Sequence, residues 1–232
     1  MKEFNPENIS LLTCKSRFDL WIQFINLKSV SEIAEIGVFR GLFASQILKN
    51  CLSINRYYMI DPWKKLKDWN KPLNIDNQTF EQCYLETLER TDFAKSRRII
   101  LRGKTTEVIN QIDDESLDLI YIDGDHTLKG ISIDLLNSYS KVKDGGYIAG
   151  DDFCVSIWQH KSNYEPTLIF PYAIYFAEAV GAHIYALPFN QFVIKKDIKK
   201  KDFKFINLSG DSRYNNSSLL KQFEIQLKNI EI

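Results

Sequence analysis

Two short apolar runs, each ending in acidic residues, constrain this chain more than any other feature. The first is Tyr121-Ile122-Asp123-Gly124-Asp125-His126, and the second is Gly145-Gly146-Tyr147-Ile148-Ala149-Gly150-Asp151-Asp152. A helix-length segment separates them, which is what a parallel strand pair requires, because its ends cannot be joined by a tight turn. As neighbouring parallel strands they bring four carboxylates to one edge of a sheet. Carboxylates a few ångströms apart repel, raise one another's pKa, or recruit a cation. The chain is expected to hold something positive there.

The rest of the pattern agrees with an α/β protein. Apolar residues at helical spacing over Phe18–Leu27 predict a helix ahead of the first strand. Strands are expected at Ser31–Val38, Arg56–Asp61, Arg97–Leu101, Leu117–Asp123 and Tyr147–Asp151. Helices are expected from Gly41 to about Lys49, at Thr79–Glu89, Thr105–Gln111 and Leu128–Val142, and around Tyr172–Val180. His183–Leu187 and Gln191–Lys195 read as a hairpin about Pro188-Phe189-Asn190. Alternation of this kind predicts a doubly wound, mostly parallel seven-stranded sheet with an antiparallel edge strand. Residues 1–30 then form an N-terminal helical cover and 31–195 the main domain. A basic run of Lys195, Lys196, Lys199, Lys200 and Lys201 leads into residues 196–232, a polar tail with a helix expected over Leu219–Ile230.

Composition narrows the function classes. Lysine plus arginine and aspartate plus glutamate number 30 each, so the formal net charge is zero and the basic excess of a nucleic-acid binder is missing. The four cysteines, Cys14, Cys51, Cys83 and Cys154, show no CxxC pair and read as reduced thiols of a cytoplasmic protein. A polar start containing Pro6 argues against a signal peptide. No apolar run approaches the roughly 20 residues that span a bilayer.

Glu35-Ile36-Gly37-Val38-Phe39-Arg40-Gly41 follows an apolar strand and opens a helix. Glycines here let the backbone approach a ligand and free the helix N-terminus. Some twenty residues on, Asp61 ends the second strand, where an acidic residue accepts hydrogen bonds from ribose hydroxyls. Phe39 breaks the GxGxxG pattern of dinucleotide sites. The alternative is a cofactor without phosphates, S-adenosylmethionine; the bland reading is a tight turn with a buried Glu35.

In these motifs the chain resembles class I S-adenosylmethionine-dependent methyltransferases. The matching group is bacterial, similar to macrocin-type metal-dependent sugar O-methyltransferases. It carries E-x-G-x-x-x-G first, I-D-P-W after the second strand, I-D-G-D-H after the fourth and G-G-x-I-x-G-D-D after the fifth. The resemblance covers roughly Ile33 to Lys195. It implies that Glu35 and Gly37 lie near the methionine portion and that Gly41 belongs to the same cofactor loop. Asp61 would hold the ribose, and Gly103-Lys104-Thr105 would lie against the adenine. It further implies Mg²⁺ on Asp123, Asp151 and Asp152, with Asp123 also bordering the cofactor, and Asp125 as general base. A small-molecule or glycan acceptor is implied, without nucleic acid or membrane, and a homo-oligomer is allowed.

Alternatives stay open at several positions. Asp125 or Thr127 caps the next helix. His126 is the rival general base or a residue orienting Asp125. Asp151 is structural if Asp152 alone faces the site. Trp63, Trp69, Trp158, Gln159, His160 and Tyr164 fall in loops at strand ends, to stack on an acceptor or simply to pack. Amino-methylation of nucleic-acid bases is disfavoured, because such enzymes place an acidic or amide residue, two prolines and an aromatic where this chain has Asp123-Gly124-Asp125-His126. Two rivals to O-methyl transfer remain: a non-catalytic binding module that keeps the fold, and a related hydroxylase-like modifying enzyme.

Overall fold

Strand burial follows from the apolar runs, as seen in a computed structural model that describes residues 14–161 and 163–215. Strands β1 (Glu32–Ile36), β2 (Arg56–Asp61), β3 (Arg98–Arg102), β4 (Leu117–Ile122) and β5 (Val142–Gly150) run parallel. Helices cover both faces, so the central strands are apolar on both sides. Side-chain parity then sorts the sheet into two cores. Ala34, Ile36, Ile60, Ile120, Ile122 and Ile148 face α5 (Leu128–Lys141) and α6 (Ile169–Val180). Ile33, Met59, Leu119, Tyr121 and Ala149 face α1 (Arg17–Lys28) and α2 (Leu42–Asn50).

The helices begin where cap residues allow. Ser16 caps α1 by accepting from the Asp19 N–H, Asp76 caps α3 (Asn77–Arg90) through Thr79, and Thr127 caps α5 through Gly130. The short helix α4 (Thr105–Val108) and a 3₁₀ turn at Ile109–Gln111 replace the single helix expected there.

The strand order is β3-β2-β1-β4-β5-β7-β6-β8, with β6 at His183–Leu187, β7 at Gln191–Lys195 and β8 at Lys204–Asn207. The doubly wound, mostly parallel sheet is therefore present, and its antiparallel strand is β7, inserted between β5 and β6. An eighth strand, β8, pairs parallel with β6 and takes the edge. This alters the reading of the tail, in which Lys204–Asn207 forms a partly buried strand. Tyr214 is buried and donates its hydroxyl to the Phe153 carbonyl. Lys196, in the basic run, is buried as well, its ammonium held by the carbonyls of Tyr139 and Val142. The helix expected over Leu219–Ile230 lies outside the described residues.

Candidate active site

The carboxyl ends of β1, β2, β4 and β5 meet at one sheet edge, and the loops there carry the predicted motifs. Asp61, at the end of β2, is buried and binds backbone amides. One carboxylate oxygen accepts from the Val38 and Phe39 N–H groups (3.0 and 2.9 Å) and the other from Trp63 N–H (2.7 Å). Burial raises its pKa and the three amides pull the other way. Asp61 thus fixes the Gly37–Gly41 loop directly. A carboxylate offers about four lone-pair sites, so one acceptor site remains beyond these three bonds.

Both glycines of this loop are required by packing. Gly37 has φ +88°, and a Cβ there would lie 2.0 Å from the Asp123 carbonyl oxygen. Gly41, φ +68°, lies against Thr87 of α3 and starts α2 with no side-chain cap. Left-handed φ at Phe39, Trp63 and Asp152 marks the ends of β1, β2 and β5. Such backbone costs on the order of 1–3 kcal/mol each and clusters where function holds it.

Glu35 is buried in β1 and accepts the Tyr57 hydroxyl at 2.7 Å. Burial, with lesser contributions from nearby Asp123 and Asp61, pushes its carboxyl up to about 8. On the far side of the loop, Gly103 N–H bonds the Asp61 carbonyl and Lys104 N–H bonds Glu107. Thr105 donates to Asp134 (2.7 Å), a buried carboxyl of α5 that burial raises to about 7.

The expected carboxylate cluster does assemble, but cationic side chains fill it. Arg17, at the start of α1, pairs through Nη1 with Asp123 Oδ2 (3.1 Å) and with Asp151 Oδ2. The other Asp151 oxygen accepts the Gln191 amide and the Asp152 N–H. His126 Nδ1 lies 2.6 Å from Asp152 Oδ2, and its Nε2 is 3.6 Å from Asp123 Oδ1, too long for a hydrogen bond. Burial opposes charge on His126, yet Asp152 and Asp123 outweigh it and raise its pKa to about 9. The donor chemistry suits a hard cation. As arranged, however, these side chains do not fit one, and no group of three or more potential ligands among the described residues is placed to hold a metal.

A family model described as a methyltransferase domain matches residues 34–153, just over half of the chain. The chain belongs to that family. S-adenosylmethionine is the methyl donor the family implies, and the geometry fits it: an acidic residue ends β2 and the turn opening α2 carries no side-chain cap. Solved structures share the fold of this methyltransferase. One is a candidate caffeoyl-CoA O-methyltransferase from Staphylococcus aureus, 19% identical, TM-score 0.55, over 77% of this chain and 81% of that one. Another is an O-methyltransferase from Bacillus cereus in complex with SAH (S-adenosylhomocysteine), 13% identical, TM-score 0.55, over 82% and 85%. A third is spermidine synthase from Thermotoga maritima, 12% identical, TM-score 0.51, over 93% and 76%. At these identities the likeness is one of fold, and the synthase shows that the fold serves more than one chemistry. No curated protein matches the chain.

Among the loop aromatics of this methyltransferase, Trp63 is core rather than acceptor-facing: it is buried and its indole donates to the Phe39 carbonyl. Trp69 reaches the site, donating its indole N–H to Asp125 Oδ1 at 2.9 Å. The same oxygen accepts the Thr127 N–H, so Asp125 and Thr127 both serve the α5 terminus. Trp158 is exposed, while the rings of His160 and Tyr164 lie edge to face, 6.2 Å apart. Arg17, Gln191 and Asp134 were not legible as site residues. Arg17 carries one signal, a cation in the first turn of a helix, where the macrodipole disfavours it. Asp134 carries another, falling within the buried α5 stripe of Gly130, Ile131, Leu135 and Ser138. No helix among the described residues is long and apolar enough to cross a membrane.

Proposed function

We propose that the chain transfers a methyl group from S-adenosylmethionine to a hydroxyl of a small molecule or sugar. The observation that carries this reading is the Asp125–His126 pair, set in the loop after β4, which neighbours β1 and so the loop that Asp61 fixes. A bound sulfonium supplies an activated methyl group, and the protein's part is to align and deprotonate the acceptor.

In this reading Asp61 uses its remaining acceptor site for a ribose hydroxyl, and Glu35 and the Gly37–Gly41 loop border the methionine portion. Gly103, Lys104 and Thr105 border the adenine. Asp125 takes the acceptor proton as the oxygen attacks, since one of its oxygens is engaged by Trp69 and Thr127 while the carboxylate keeps further lone pairs. His126, held protonated by Asp152, is a poor base at neutral pH and a good donor to the acceptor oxygen or its neighbour. Atoms balance as an ether, S-adenosylhomocysteine and a proton on Asp125.

Titration of S-adenosylhomocysteine by calorimetry, in Mg²⁺ and in EDTA, tests the cofactor half. Binding at micromolar strength supports the reading, and Asp61→Ala should lose most of it. The acceptor half calls for methyl transfer to a panel of polyols and sugars, with Asp125→Asn expected to cost at least about a hundredfold in kcat. No binding in either buffer would remove the methyltransferase assignment of the site.

A further inference from the structure

We infer that Arg17 is the resident cation of the Asp123–Asp151–Asp152 cluster, standing where a divalent metal would otherwise bind and closing the site to it. The argument begins with acceptor accounting. Asp151 has one oxygen engaged by Gln191 and the Asp152 N–H and the other paired with Arg17. Asp123 gives Oδ2 to the same guanidinium nitrogen, and Asp152 gives Oδ2 to the His126 ring. A cation bridging these carboxylates would have to displace the Nη1 group, since two bodies cannot share that space.

The guanidinium is also held from behind. Its Cζ lies 5.5 Å from the Phe18 ring centre and 5.9 Å from that of Phe43. Helix α1 is tied to the same cluster through a second, buried route. The Trp21 indole donates to Gln191 Oε1 (2.7 Å), the Tyr121 hydroxyl donates to the same oxygen (2.8 Å), and the Gln191 amide donates to Asp151. Arg17 is therefore delivered by a docked helix, not by a mobile surface side chain. Its guanidinium has five N–H groups, and both ion pairs run through one nitrogen. With its side chain 31% exposed, it has donors to offer an acceptor oxygen. That last step rests on the methyl-transfer reading and makes Arg17 a positioning residue; the exclusion of metal does not depend on it.

The test follows Mn²⁺ binding by the loss of the free-ion electron paramagnetic resonance signal, with S-adenosylhomocysteine calorimetry run in parallel. Wild-type protein should leave Mn²⁺ free at millimolar concentration. Arg17→Met, which keeps stem length and removes the charge, should bind it at least about tenfold more tightly, and Arg17→Lys should stay closed. Sub-millimolar Mn²⁺ binding by the wild type overturns the inference, and so does a folded Arg17→Met that gains none. Should Arg17→Met fail to fold, Arg17→Gln and the wild-type titration decide in its place. Absence of S-adenosylhomocysteine binding would count against the methyltransferase reading and leave the Mn²⁺ result readable.

Discussion

At the scale of single residues, backbone geometry and burial decide what the site tolerates. Gly37 has no room for a methyl group: its φ is +88° and the Asp123 carbonyl sits 2.0 Å from where a Cβ would stand. Gly37→Ala should therefore cost several kcal/mol, about 3 or more, because β1 and β4 would have to separate. Thermal denaturation checks this, and a loss under about 1 kcal/mol would show that the strand ends yield easily. Glu35 gives a pH prediction. Its carboxyl stands at about 8 in the fold against 4.5 for an unperturbed glutamate. Between those values the folded chain keeps a proton that the unfolded chain has released, so this residue lowers stability as pH rises through the window. Above about 8 the effect levels off. Glu35→Gln cannot titrate, so its stability relative to wild type should rise between pH 5 and pH 8, by on the order of a few kcal/mol. Parallel urea curves across that range would sink the idea.

At the scale of elements, α1 and β7 matter more than their sequences advertise. Gln191 is fully buried at the start of β7 and joins three elements: it accepts from Trp21 of α1 and Tyr121 of β4, and it donates to Asp151 beyond β5. Gln191→Leu would leave two buried donors without an acceptor, at about 2–4 kcal/mol, since each orphaned group carries its desolvation penalty. It should also loosen Asp151 and with it the ion pair to Arg17. Chemical denaturation gives the first effect, and a rise in Mn²⁺ affinity would report the second. Strands β1, β2, β4 and β5 were legible because their apolar runs are buried on both faces, and the last three run into aspartates. Their positions place Asp61, Asp123, Asp125, Asp151 and Asp152 together at one edge. Strand β8 was not legible: Lys204–Asn207 pairs only with β6, so its burial is partial and its composition polar. Arg17 was missed for a related reason. Its partners lie over a hundred residues away, beyond any local pattern.

At the scale of the whole molecule, two long loops close over the sheet edge and are pinned to one another. The segment after β2, residues 62–76, carries Trp69, which touches Asp125, and Lys71, a buried lysine. Lys71 donates to the carbonyls of Glu165 and Pro166 at 2.7 and 3.0 Å, and Asn70 bonds Glu165 as well. The second segment is fixed in turn by Leu168 N–H to the His126 carbonyl and Thr167 N–H to the Ile157 carbonyl. Burial lowers the Lys71 pKa, with Asp125 and Glu165 supporting its charge, so the ammonium is a buried staple between loops. On the proposed reading the methyl donor binds beneath these loops and exchanges only when they part. Lys71→Met keeps most of the stem and removes every donor. It should therefore quicken amide exchange in residues 62–76, 156–161 and 163–168 by about tenfold or more, while the central strands stay protected. The release rate of S-adenosylhomocysteine should rise with it, since release waits on the same opening. Hydrogen exchange and stopped-flow displacement measure the two rates independently. Faster exchange in the loops with unchanged ligand release would show that the cofactor leaves by another route, whereas unchanged exchange in both loops would show that the staple contributes nothing to their closure.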